Sequence, residues 1–172
     1  MMNTFLELAT ERFSVRSFSC KPVEDEKLEK ILQAAKIAPT AVNFQPQKLY
    51  VIKSPEAMER LTAIRPMFGA PLAVIVCYDD TLSWKNSRDG GHDSGEVDAA
   101  IVTTHMMLEA WELGIGSCWI GAFSPAEIAK EFGIPGNEHP VAILPLGYAA
   151  EDCKPSERHL AYRELSEFVK TL

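Results

Sequence analysis

Two guanidinium groups and a hydroxyl fall within five residues near the start of the chain, in Arg12-Phe13-Ser14-Val15-Arg16. In an extended stretch, residues i, i+2 and i+4 point the same way. Arg12, Ser14 and Arg16 would then converge on one face as donors suited to a phosphate. The competing reading is a solvated basic patch where a helix runs into a loop. A second segment, residues 38–47, contains Pro39, Thr40, Asn43, Gln45 and Pro46. Its prolines restrict the backbone, and its hydroxyl and amides can hydrogen-bond the polar edge of a heterocycle or a ribityl chain. The same composition also suits an ordinary turn between helix and strand. In a third segment, residues 114–122, an apolar run ends in Ile120, Gly121 and Ala122. Small residues there let a flat ring approach the backbone, whose N–H can donate to it. The plainer reading is a core strand with a glycine bend. Near the C-terminus, Lys154, Arg158 and Arg163 offer further cations, one of which would complete a phosphate site.

Other reactive side chains have simpler readings. His105 lies in an apolar helical stretch and reads as a satisfied core or interface histidine. Asp93, Glu96 and Asp98 flank a helix start, where the helix dipole favours acids. Trp84, in a polar loop, is a candidate lid over a ring. The chain lacks the GxSxG signature of serine hydrolases and the GxGxxG fingerprint of dinucleotide-binding folds.

Local patterns predict the elements that must position these groups. A first helix is expected over 3–11 and a second over 24–38, where Leu28, Ile31, Leu32 and Ala35 follow the i, i+3, i+4, i+7 rule. Pro39 marks its end. Residues 49–52 read as a short strand, and Ser54-Pro55 as the cap and first position of a third helix. Residues 73–78 form the strongest strand signal, followed by a polar loop to about Gly95. The helix expected over 96–113 is apolar on most of its circumference and belongs in the middle of a fold or a dimer core. Gly114 fits its stop. Residues 115–120 read as a second central strand. Ser124-Pro125-Ala126-Glu127 reads as a capping box opening a helix that stops at Gly133. Residues 141–148 read as a strand in which Pro145 implies a bulge or an edge. The tail over 162–172 carries Leu165, Phe168 and Val169, an apolar set able to pack onto a partner. The mixed order of strands and helices indicates an α+β fold, with a mainly antiparallel sheet flanked by helices.

Composition narrows the function. The 172 residues suit a single domain over 1–172. A formal charge of −7 leaves no basic surplus for nucleic acid, so any anion site is local. No apolar run approaches the length of a membrane span. The acidic, interrupted N-terminal segment does not read as a secretory signal. Cys20, Cys77, Cys118 and Cys153 form no CxxC pair, and the four histidines are scattered, so neither disulfides nor a metal are expected. The expected setting is cytoplasmic.

Taken in order, these segments resemble the nitroreductase family. Its Arg-x-Ser-x-Arg/Lys stretch is matched by Arg12, Ser14 and Arg16. Its AP(S/T)xxNxQPW segment is matched by Ala38, Pro39, Thr40, Asn43, Gln45 and Pro46, with Gln47 where the family usually has tryptophan. Its LGLGxxW(I/L)G segment is matched by Leu113, Gly114, Ile115, Gly116, Trp119, Ile120 and Gly121. The LPLGY stretch at 144–148, followed by a basic tail, also agrees. The resemblance implies FMN held between the subunits of an intertwined homodimer, with NADH or NADPH as co-substrate and no essential side-chain acid or base. It places Arg12, Ser14 and Arg16 at the phosphate and ribityl end. Pro39, Thr40 and Asn43 would reach the flavin of the other subunit. Ile120 and Gly121 would lie against the ring, and Arg163, or alternatively Arg158, would serve as the C-terminal arginine. The implied reaction is ping-pong electron transfer to a small acceptor such as a nitroaromatic or quinone. The alternatives are an FMN store or sensor, or a flavin-modifying or dehalogenating enzyme of the same fold.

Overall fold

A computed structural model describes residues 4–172. The start of the first expected helix, Asn3, lies outside them. Strand β2 (Leu72–Asp79) is buried along almost its whole length because both of its faces are covered. Leu72, Val74 and Val76 point into one apolar cluster, and Ala73, Ile75 and Cys77 into another. This period-two division explains why the strand is a continuous apolar run rather than an alternating one.

The sheet has the order β1–β2–β6–β5, with β1 (Gln47–Ile52), β5 (Gly116–Ser117) and β6 (Glu138–Gly147), and every pairing between these strands is antiparallel. The first cluster packs α2 (Asp25–Ile37) and α4 (Gly95–Glu112) on one face. The second packs α3 (Pro55–Ile64) and α5 (Pro125–Phe132) on the other. A short α1 (Phe5–Glu11) precedes them, capped by Thr4 through a reciprocal box with Glu7. The α+β architecture with a helix-flanked antiparallel sheet is therefore the one expected. Among the described residues, no helix is long and apolar enough to cross a membrane.

Several local signals act as expected. Ser54 Oγ accepts from Ala57 N with Pro55 in the first turn, and Gly133 ends α5 in the left-handed region at φ 64°. At Ser124 the hydroxyl accepts from Glu127 N, which is one half of the expected box. The polar loop after β2 carries a small hairpin, β3 (Lys85–Asn86) with β4 (His92–Asp93).

The strand expected over 115–120 is not central. Only Gly116–Ser117 forms a strand, last in the sheet order, with an isolated bridge from Ile120 to Ile143. The reason lies on β6. Ile143 exchanges both backbone hydrogen bonds with Ile120, so its neighbour two residues on, Pro145, faces the same side. Proline has no N–H to offer there, and the ladder breaks opposite Cys118. Pro145 itself stays in register with Ala73. The bulge falls instead at Val141, between the pairs Val76–Ala142 and Cys77–Pro140.

Helix α4 has two different sides. Ala99, Val102, Met106 and Ala110 are buried against the sheet and α2. On the opposite side, Val97, Ala100, Ile101, Thr104 and His105 line an open groove of about 260 Å³. His105 Nδ1 lies 2.9 Å from the Ile101 carbonyl, so one of its ring nitrogens is satisfied within the helix. The tail beyond residue 159 forms only α6 (Leu165–Phe168) and is exposed throughout.

Candidate functional site

Arg12 leaves α1 in extended geometry (φ −61°, ψ 124°), its N–H donating to Leu8 O at 3.1 Å. The chain then alternates. Phe13 packs edge-on against Trp111, with ring centroids 5.2 Å apart, and Val15 is fully buried. Val15 N donates to Ser117 O at 2.9 Å, and Ser14 bridges Ser117 in parallel, which fixes the stretch to β5. With positions 13 and 15 turned inward, Arg12, Ser14 and Arg16 share the opposite face.

That face meets Cys118, a buried residue one position beyond β5. Burial pushes the Cys118 thiol up, while Arg16, the Ser14 hydroxyl, Arg12 and Arg65 pull it back. Four polar side chains from two parts of the chain therefore act on one sulfur atom. Arg65 caps the C-terminus of α3, and its Nε is buried without a hydrogen-bond partner. Among the described residues, Arg12, Arg16 and Arg65 form no ion pair. The two segments thus place three guanidiniums without an ion-pair partner among the described residues, in a chain of formal charge −7. Sequence reasoning did not single out Arg65, because it stands alone after α3 with no motif around it.

The loop after α2 is built under backbone strain. Val42, Asn43 and Gln45 have φ of 53°, 57° and 52°, in the left-handed region. Asparagine tolerates this, but β-branched Val42 does not, and each such residue costs on the order of 1–3 kcal/mol. The loop is held by Asp98, which is 2% exposed. Asp98 Oδ1 accepts from Ala41 N at 2.8 Å, and Oδ2 from Ser94 Oγ at 2.9 Å. Thr40 Oγ1 accepts from Gln45 N at 3.0 Å. Asp98 is thus more than a dipole-matching acid at a helix start: it ties the loop to α4. Asn43 and Pro39 stand exposed on this loop, and no hydrogen bond or ion pair among the described residues joins Pro39, Thr40 or Asn43 to Arg12, Ser14 or Arg16. Gln47 reaches Ala35 O with its amide nitrogen and leaves Oε1 buried without a partner.

Ile120 and Gly121 differ in kind. The Ile120 side chain is buried in the core, and its N–H and carbonyl are both taken by Ile143. Gly121 is exposed, and its N–H has no acceptor among the described residues. It borders a cavity of about 350 Å³ lined also by Tyr78, Glu96, Phe123 and His139. Burial, then Asp93, Glu96 and Asp80, push the Tyr78 hydroxyl up, so it stays protonated at neutral pH. Trp84 is half-buried, and its carbonyl accepts from Ser94 N at 3.0 Å.

Of the C-terminal cations, Arg158 precedes His159, whose ring packs 6.1 Å from that of Phe13. This places the 158–159 turn on the Phe13 side of the stretch. Arg163 pairs instead with Glu167 in the tail, at 3.2 Å.

The chain is similar to known proteins. The model of the nitroreductase family matches residues 9–65 and 63–148. A nitroreductase family protein from Clostridium difficile 630 has a structure similar to this one, with TM-score 0.92, 44% identity and coverage of 99% of this chain and 100% of that one. An FMN-dependent nitroreductase from Clostridium difficile R20291 is 27% identical, with TM-score 0.73 over 88% of this chain and 90% of that one. The Bacillus subtilis protein named FMN reductase (NAD(P)H) is 27% identical, covering 87% of this chain and 68% of its own length. The two-part match of the family model and the near-complete structural overlap lead to one conclusion: the chain belongs to the nitroreductase family.

Proposed function

We propose that the chain, as one domain over residues 1–172, is an FMN-dependent oxidoreductase that passes electrons from NADH or NADPH to a nitroaromatic, quinone or similar acceptor. The observation that carries this reading is the extended Arg12–Arg16 stretch, whose two arginines form no ion pair among the described residues. Such a face fits a phosphate monoester, and the names of two relatives specify FMN. Bound flavin would supply the hydride chemistry, and the chain supplies position and electrostatics.

Arg12, Ser14 and Arg16 would hold the phosphate, with Arg163 or Arg158 as the C-terminal arginine that assists. The ring would lie at the Ile120–Gly121 strand end. There Gly121 N–H is the donor left free, because Ile120 N–H is already bonded. Thr40 and Asn43, presented by the Asp98-anchored loop beside Pro39, would serve the flavin of a second copy. A homodimer is supported by the open groove on α4 and by the apolar tail, which no described residue covers. The free cysteines fit a reducing, cytoplasmic setting.

FMN is expected to bind more tightly than riboflavin. Arg12→Ala should remove a charge-assisted contact worth roughly 1.5–3 kcal/mol, and only for the phosphorylated ligand. Dissociation constants for both ligands check this, and equal affinities in the parent would sink the phosphate assignment. Turnover is expected to be ping-pong, since a ring seated against the strand end leaves a single open face for donor and acceptor in turn. Double-reciprocal plots at several fixed acceptor concentrations should be parallel. Intersecting lines, with both substrates bound together, would reject it. Flavin binding without NAD(P)H oxidation would instead make the protein a store or sensor.

A further inference from the structure

We propose that Arg65 is the third guanidinium of the anion site, acting with Arg12 and Arg16 on the phosphate of the bound flavin, an assignment that rests on the FMN reading above. Arg65 follows α3, on the side of the sheet opposite α4. Its neighbours Ile64 and Phe68 pack into the same apolar cluster as Val15, Phe18 and Cys118. Phe18 N donates to Phe68 O at 3.0 Å, which ties the turn after Arg65 to the chain just beyond Arg16. The cluster thus brings a residue of the α3 terminus to the stretch whose outward face carries Arg12 and Arg16.

The state of the side chain points to a ligand. A buried donor without an acceptor weakens a fold, so a structural arginine is normally paired. Arg65 Nε is buried and unpaired, in contrast to nearby Arg60, whose Nε lies 3.3 Å from Glu131 Oε1. Like charges acting on one locus also repel. Arg12, Arg16 and Arg65 all act on the Cys118 sulfur, and no carboxylate among the described residues pairs with any of them. A dianionic phosphate would offset that repulsion, by neutralising the three cations and accepting from their guanidinium donors.

The test uses the full-length protein freed of flavin, titrated with FMN and with riboflavin, for the parent, Arg12→Ala and Arg65→Met. Arg65→Met should lower the preference for FMN over riboflavin tenfold or more, while the Tm of the flavin-free protein stays the same or rises. Should Arg65→Met not fold, Arg65→Gln carries the same two measurements. An unchanged preference in the Arg65 variant, beside a lowered one in Arg12→Ala, overturns the assignment of Arg65 alone. Equal loss of both ligands, or a lowered Tm with the preference intact, makes Arg65 a ring-contacting or structural residue and also overturns it. If neither variant alters the preference, the phosphate site itself is misplaced, and the reading on which the proposal rests fails with it.

Discussion

Deleting residues 163–172 is expected to turn the protein into a monomer that has largely lost its flavin. Leu165, Phe168 and Val169 are 69%, 59% and 53% exposed in the single chain. Helix α6, which carries the first two, has four residues, too few to persist in water without packing. A partner subunit that buries these three side chains gains roughly 1.5–3 kcal/mol for each. Even at the lower end, the sum of about 4.5 kcal/mol corresponds to about three decades in the dimer dissociation constant. Ordering the tail offsets part of that gain. The body should keep its fold, because the tail contributes nothing to either buried cluster. Sedimentation at micromolar concentration, circular dichroism and the visible flavin spectrum give the three readouts. A truncated protein that stays dimeric and yellow would show that the tail is not the clasp. A parent that sediments as a flavin-loaded monomer would remove the dimer altogether.

Gly121→Val should cut flavin affinity by tenfold or more, about 1.4 kcal/mol, without harming the fold. A Cβ at Gly121 meets only Trp119 Nε1, at 3.9 Å. The chain itself therefore has room for a Cβ at this position, so a loss of flavin without a loss of fold would mark the neighbouring space as the ligand's. Gly116 and Gly147 behave differently: a Cβ there would lie 2.6 Å from Val15 Cγ2 or 2.7 Å from Pro71 Cδ, so substitution at either strikes the core. The contrast makes Gly121 the informative position. The expected result is a well-folded protein, with the flavin-free Tm unchanged, that purifies with little flavin. Full flavin content and a normal rate of reduction by NAD(P)H would place the ring away from the Trp119–Ile120–Gly121 strand end.

Much of this protein was decided by short-range rules that a sequence displays. The i, i+3, i+7 spacing of Leu28, Ile31 and Ala35 set the buried stripe of α2, and Pro39 bounded it. Ser54-Pro55 and Ser124-Pro125 set two helix starts through caps a few residues away. The alternation of Arg12, Phe13, Ser14, Val15 and Arg16 was enough to separate a polar face from a buried one, because an extended backbone allows no other arrangement. The order of the motifs identified the family.

Tertiary structure decided the rest, wherever the partner group lies far along the chain. Nothing near Ile115–Ile120 reveals that its ladder breaks, since the missing donor belongs to Pro145 on the neighbouring strand. Asp98 reads as a routine acid at a helix start, and its bond to Ala41 N crosses 57 positions of sequence. Ile120 and Gly121 look equivalent as a strand end, yet only pairing with Ile143 shows that one N–H is spent and the other free. Arg65 carries no local pattern at all. It gains meaning when the sheet brings α3 against the segment that follows Arg16, because an unpaired buried donor is a property of surroundings and not of sequence.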